Sequence, residues 1–150
     1  MTIRNKLGIL TEENVVDFKK EGKNKIFFLK KSIEARNYVM MAELYKQSKA
    51  IETYPVLRGI IHAALKLSDV HLALLFGSYA KGIAHEESDI DLFIETRERT
   101  VKKDMEKGHS KLSVKTGIFD MDSPLIREIV KEHIIVKGVE DYIERIHFFD

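Results

Sequence analysis

The stretch LFGSYAKGIAHEESDIDLFI, residues 75–94, limits what this chain can fold into more than any other. Two short apolar runs flank a Gly-Ser pair and an Asp-Ile-Asp. DIDLFIE, residues 89–95, alternates strictly, so Ile90, Leu92 and Ile94 face one side of a strand and Asp89, Asp91, Phe93 and Glu95 the other. Residues two apart on a strand lie about 7 Å apart along the backbone and point the same way. Two carboxylates so placed repel each other unless a cation sits between them. A hard divalent cation such as Mg²⁺ takes oxygen ligands and completes its shell with water and substrate phosphates.

Gly77-Ser78 supplies the other half of such a site. The run HLALLF, residues 71–76, reads as a buried strand that this pair ends, and YAKGIA reads as a short helical turn. A glycine there lets the backbone come close to a ligand, and the free N–H groups of a helix start favour phosphate. Ser78 adds a hydroxyl donor. One end of the stretch is thus suited to polyphosphate and the other to the metal bridging it, which is the arrangement of metal-assisted phosphoryl or nucleotidyl transfer.

The remaining chain reads as two regions. Residues 15–29, VVDFKKEGKNKIFFL, form a β-hairpin with a basic tip, turning at Glu21-Gly22-Lys23-Asn24. Residues 31–50 are helical, with Ala35, Val39, Ala42 and Tyr45/Lys46 at helical spacing. Residues 54–68 form an amphipathic helix with Pro55 in its first turn and Leu57, Ile60, Ile61, Ala64 and Leu65 on its apolar face. A polar helix follows over 97–108, then a strand over 111–119. Ser123 is expected to cap a helix opened by Pro124, with Leu125, Ile129 and Val130 inward. A strand over 134–138 ends at Gly138. The last helix spans 139–149, with Val139, Tyr142, Ile143 and Ile146 inward. The expectation is an α/β (α+β) fold: a mixed sheet flanked by helices, with strands near 71–76, 89–95 and 111–118. A small hairpin-and-helix unit precedes it, divided from the main domain as 1–50 and 51–150.

Composition narrows the function classes. A chain of 150 residues can bury one good core or two very small ones. No apolar run approaches the length a bilayer requires, and no secretory leader pattern is visible. No cysteine occurs, so there is no disulfide framework or thiolate metal site, and a cytoplasmic setting is expected. The net charge of +1 divides into +5 over residues 1–70 and −4 over residues 71–150. The basic half could meet nucleic acid or an acidic partner, though a solvated surface is the ordinary reading. His62, His71, His85, His109, His133 and His147 show no metal-ligand spacing. His85 and Glu86-Glu87 fall in the loop over the expected site.

Gly77-Ser78, ten intervening residues and Asp89-x-Asp91 together resemble the signature of the DNA polymerase β-like nucleotidyltransferases, most closely their minimal branch in prokaryotes. The resemblance covers about residues 54–138. It implies that Gly77 and Ser78 hold the β- and γ-phosphates of a nucleoside triphosphate such as ATP, that Asp89 and Asp91 are catalytic and bind two Mg²⁺ ions, and that Lys81 touches phosphate. It implies transfer of a nucleoside monophosphate, AMP from ATP, to an acceptor. In the minimal branch the acceptor theme is a toxin–antitoxin pair with a HEPN-family partner. The family also uses a third carboxylate on a later strand, and KLSVKTGIF carries none. Asp120 and Asp122 follow that strand, and Glu95 is on the face of the aspartates but further from the Gly-Ser end. A nucleotide-binding module that acts by contact, without catalysis, is therefore the second reading.

RNKLGILTEENVVDFKKEGKNKIFFLKKS resembles the second half of a winged helix-turn-helix domain, with KLGIL as the end of a recognition helix and the hairpin as the wing. The first helices of that motif have no counterpart in these residues, so a contact in a homodimer is an alternative to DNA binding.

Overall fold

The computed structural model describes all 150 residues. Helix α1 (Ile3–Glu12) leads into the hairpin β1 (Val16–Glu21) and β2 (Asn24–Leu29), then the long helix α2 (Ile33–Thr53) and α3 (Leu57–Leu65). The main sheet is built from β3 (Ala73–Phe76), β4 (Ile90–Glu95), β5 (Leu112–Gly117) and β6 (Ile134–Lys137). Between its strands run α4 (Gly77–Lys81), α5 (Arg99–Lys107) and α6 (Pro124–Lys131), and α7 (Val139–Arg145) follows β6. The sheet order is β5-β4-β3-β6. β4 pairs antiparallel with β3 and parallel with β5, and β6 is antiparallel to β3. This is the expected mixed sheet, and its first two strands lie side by side.

The alternation of β4 sets the layers. Ile90, Leu92 and Ile94 join Ala73, Leu75 and Val114 beneath Leu57, Ile60 and Ile61 of α3 and Met105 of α5. Phe93 joins Leu72, Leu74 and Ile135 beneath Ile126 and Ile129 of α6 and Tyr142 and Ile143 of α7. Helices thus cover both faces, and both clusters are closely packed. Burial of such side chains contributes roughly 1.5–3 kcal/mol each before the entropy cost of ordering the chain.

Helix phases differ from expectation at four places. Leu65 is half exposed at the last residue of α3, and the chain turns away before it reaches the core. In α6 it is Ile126 that is buried, while Leu125 stands at 36% exposure, because Pro124 at the first helical position rotates 126, 129 and 130 inward. Ser123 occupies the cap position without a side-chain cap bond. Asp120 does the local work instead, accepting the Asp122 amide on Oδ1 (2.9 Å) and the Ser123 amide on its carbonyl (3.0 Å). In α2, Ala42 and Tyr45 are exposed, and Glu43 and Gln47 turn inward. Gln47 Nε2 donates to the carbonyls of Ile135 (2.8 Å) and Val136 (3.2 Å), so the polar side of α2 covers the outer edge of β6.

The hairpin turns as expected at Gly22-Lys23, with Gly22 at φ +61. Val15, Val16 and Ala35 make a small separate cluster. Phe149 packs against both this cluster and the α6–α7 core. No side chain of α1 is buried. The last helix is shorter than the sequence suggests, ending at Arg145, with turns to Phe149.

Candidate functional site

Strand β3 stops at Phe76, and Gly77 turns the chain at φ +70 into the single-turn helix α4. The helix closes at Gly82 (φ +71), where the Ile83 amide donates to the Ser78 carbonyl five residues back (3.0 Å). The turn is held from behind. Tyr79 is buried, edge-on to Tyr54 at 4.8 Å between ring centres, and the Tyr54 hydroxyl accepts the Ala84 amide (3.2 Å). The loop 83–89 carries His85, Glu86 and Glu87 exposed at the surface. Ser88 Oγ accepts the His85 amide at 3.0 Å, so the loop is self-bonded just before Asp89.

The antiparallel register pairs Asp91 with Phe76, which brings the strand of the aspartates beside the Gly-Ser turn. The contact is close. A Cβ added to Gly77 would lie 2.3 Å from Asp91 Oδ2 and 3.2 Å from its Cγ. The glycine therefore serves twice: it adopts a left-handed conformation, and it leaves room for a carboxylate against the backbone. Asp91 is partly buried and Asp89, one residue before the strand, is exposed. Burial, then the neighbouring Asp89 carboxylate, push the Asp91 carboxyl above its ordinary value, while Lys115 on β5 pulls it down. Neither aspartate takes part in an ion pair.

β5 decides what else reaches this face. Its parallel register sets Ser113 beside Asp91 and Lys115 beside Phe93. Leu112 and Val114 point to the opposite core, so Ser113 and Lys115 share the face of Asp91. Where a third carboxylate would stand there is a hydroxyl and, two residues on, a cation. Glu95 is committed elsewhere. It pairs with Arg145 (Nη1–Oε1 2.5 Å), whose Nη2 also meets Asp141 Oδ2 (3.0 Å), and its Oε2 accepts the Phe119 amide (2.7 Å). Asp120 is bound into its own turn. No group of three His, Cys, Asp or Glu side chains is gathered in the fold. The donor set at Asp89 and Asp91 suits a hard cation only when phosphate and water oxygens complete the shell.

Lys81 sits at the far end of α4, exposed, within the field of Glu128 on α6. The cation whose field reaches Asp91 is Lys115. Lys115 gives no sign in the sequence, because its place beside the aspartates depends on which strand pairs with β4 and in what register.

A strand, a left-handed glycine turn with a one-turn helix, and a paired strand bearing the aspartates make up the core unit of a nucleotidyltransferase-type fold. The match to known families agrees: the family model described as Polymerase beta, Nucleotidyltransferase matches residues 59–140, more than half of the chain, which therefore belongs to that family. No curated protein shows significant similarity to the chain. No helix is long and apolar enough to cross a membrane.

Proposed function

We propose that this nucleotidyltransferase moves AMP from ATP to an acceptor hydroxyl, with Gly77, Ser78 and Lys81 on the phosphates and Asp89 and Asp91 as metal ligands. The observation that carries this reading is the seat of the Asp91 carboxylate against Gly77, which brings an anion-compatible turn and a cation-seeking pair into contact. Mg²⁺ bound there would neutralise charge on the phosphates and lower the cost of bringing two carboxylates to a triphosphate. In the transfer, a bond forms between the acceptor oxygen and the α-phosphorus, the bond from that phosphorus to the bridging oxygen breaks, and pyrophosphate leaves. The acceptor proton is released to solvent. An acceptor within a toxin–antitoxin pair, on a HEPN-family protein, follows from the resemblance to the minimal branch.

The test uses ATP labelled at the α-phosphate, Mg²⁺ and candidate acceptors, comparing the natural chain with Ser78→Ala. That change removes one hydroxyl and leaves Gly77 and Asp91 in place. ATP binding should weaken by roughly fivefold or more, the loss of about one hydrogen bond to a charged group, at an unchanged melting temperature. Undiminished ATP affinity would remove Ser78 from the site.

A second reading, nucleotide binding without transfer, is favoured by β5. Ser113 and Lys115 face Asp91, and Glu95 is held by Arg145. Ser113→Asp separates the two readings. If the missing carboxylate limits the chemistry, this variant gains Mg²⁺ affinity and transfer. If both stay unchanged, position 113 is not where a third ligand is needed.

A further inference from the structure

Between α2, α4 and the turn from α6 into β6 lies a cavity of about 390 Å³. Its charge is one-sided. Lys46 and Lys49 enter from α2, Lys81 from α4 and Lys131 from the end of α6, against a single acid, Glu132. Neither Asp89 nor Asp91 lines it. Its apolar wall includes Ala50, Tyr79 and Ile134, which belong to the core on the α3 side of the sheet, whereas Asp91 shares the opposite face with Phe93. The cavity thus excludes both aspartates, and Lys81 is the one residue it shares with the phosphate side of the site proposed above.

Three of the lysines have carboxylate partners: Lys46 with Glu43 (2.9 Å), Lys49 with Glu52 (3.0 Å) and Lys131 with Glu128 (2.9 Å). The last two pairs are exposed on both sides, and such pairs are worth little, so either lysine can exchange its partner for an incoming anion at small cost. Lys81 has no ion pair at all. At the inner wall, His133 is nine-tenths buried, with Nδ1 set by the carbonyls of Ile129 (3.1 Å) and Val130 (3.2 Å). Its Nε2 is buried without a hydrogen-bond partner, 3.7 Å from the Glu43 carboxylate. That atom has no exposed surface and its neighbour Glu43 does not line the cavity, so His133 closes the inner wall as a ring and offers no open polar atom to it.

We infer that this lysine-lined cavity is a second anion site, which takes a phosphorylated ligand of about mononucleotide size without a metal. The volume lies in the range of small-molecule pockets. The lysines supply point charges for a phosphate, and the Tyr79 and Tyr54 residues offer a wall for the less polar part of the ligand. The inference goes beyond the transfer reading and stands without it.

The experiment titrates AMP and adenosine into the full chain in EDTA by calorimetry. AMP should bind saturably, and adenosine at least about tenfold more weakly, since two or more charge-assisted contacts are lost. The double change Lys49→Ala and Lys131→Ala should weaken AMP by about tenfold or more, while Lys102→Ala with Lys103→Ala, two lysines of α5 away from the cavity, should shift it less than about twofold. Circular dichroism confirms that each variant is folded. Metal-free AMP binding that survives in both Asp91→Asn and Ser78→Ala but is lost with Lys49 and Lys131 supports the cavity whatever becomes of transfer. The inference is overturned if AMP does not bind saturably, if the α5 pair weakens it equally, or if binding needs Mg²⁺ and disappears in Asp91→Asn, which would locate it at the aspartates.

Discussion

Replacing Asp91 by asparagine should make the protein more stable and unable to couple metal to nucleotide. Asp89 and Asp91 lie two residues apart, about 7 Å, with no cation paired to either. At that distance two unit charges repel by about 0.6 kcal/mol in water-like surroundings and about 2.4 kcal/mol at an effective dielectric of 20. Asp89 is exposed, so the lower part of the range applies, and about 1 kcal/mol is a fair expectation. Burial of Asp91 adds to it in the same direction. The asparagine has the same shape and fits the seat against Gly77 without the charge.

The pH dependence has a definite sign. The Asp91 carboxyl is raised in the folded state, so the fold binds that proton more tightly than the unfolded chain does. Its contribution favours folding at acid pH, below the unfolded value near 4, and is lost as pH rises through the folded value. Urea unfolding of the natural chain and of Asp91→Asn should therefore differ most at pH 7, by about 1 kcal/mol or 2–4 °C in Tm, and converge toward pH 4. Mg²⁺ with ATP should reverse the order at neutral pH. Ligand at a hundred times its Kd stabilises the natural chain by about 2.7 kcal/mol, and the variant gains far less. An Asp91→Asn protein that is less stable than the natural chain in EDTA at pH 7 would refute the claim of an uncompensated pair. Equal stabilisation of both by Mg²⁺ and ATP would refute the ligand role.

Three other changes probe what holds the site in place. Glu95→Gln should cost about 1–2 kcal/mol through the weakened Arg145 pair, yet leave the Mg²⁺ dependence of nucleotide binding as it was; a change in that dependence would return Glu95 to the metal site. Gly138→Ala should lose more than about 2 kcal/mol in chemical denaturation, because its Cβ would fall 2.1 Å from the His71 carbonyl at φ +90, and a near-neutral result would show that the β6–α7 turn readjusts. Gln47→Leu should cost about 1 kcal/mol and speed amide exchange in β6, since two bonds to its carbonyls are lost; unchanged exchange would mean α2 does not cover that edge.

The fold was legible where a period could be read. The strict alternation of β4 announced two faces, and both turned out to be core. Legibility failed at ends and phases. Leu65 and Leu125 have the right spacing but lie at the last residue of one helix and in the first turn of another, where the chain direction decides exposure. In α2 the apolar spacing of Ala42 and Tyr45 misled because the middle of the packed face turns polar over β6: Gln47 and Lys46 meet carbonyls of the edge strand and of His133, which an apolar pattern cannot report.

The site divides along the same line. Gly77, Ser78, Asp89 and Asp91 could be brought together from sequence because one antiparallel pair, with a single connection between its strands, carries all four, and a short connection leaves the pairing little freedom. The third neighbour of Asp91 comes from β5, reached across a helix and a parallel pairing whose register no local residue sets. A shift of β5 by two residues would place Lys115 where Ser113 stands without altering the alternation of its side chains. The absence of an acid from KLSVKTGIF was visible in the sequence, but only the register shows that Ser113 is the residue beside Asp91, and that Lys115 is the cation whose field reaches it. The lysine cavity lies further still from sequence reading. Its charges come from three helices, each lysine an ordinary surface residue by itself, and it is their convergence from separate elements on one cavity that distinguishes the place from a basic patch on a single helix.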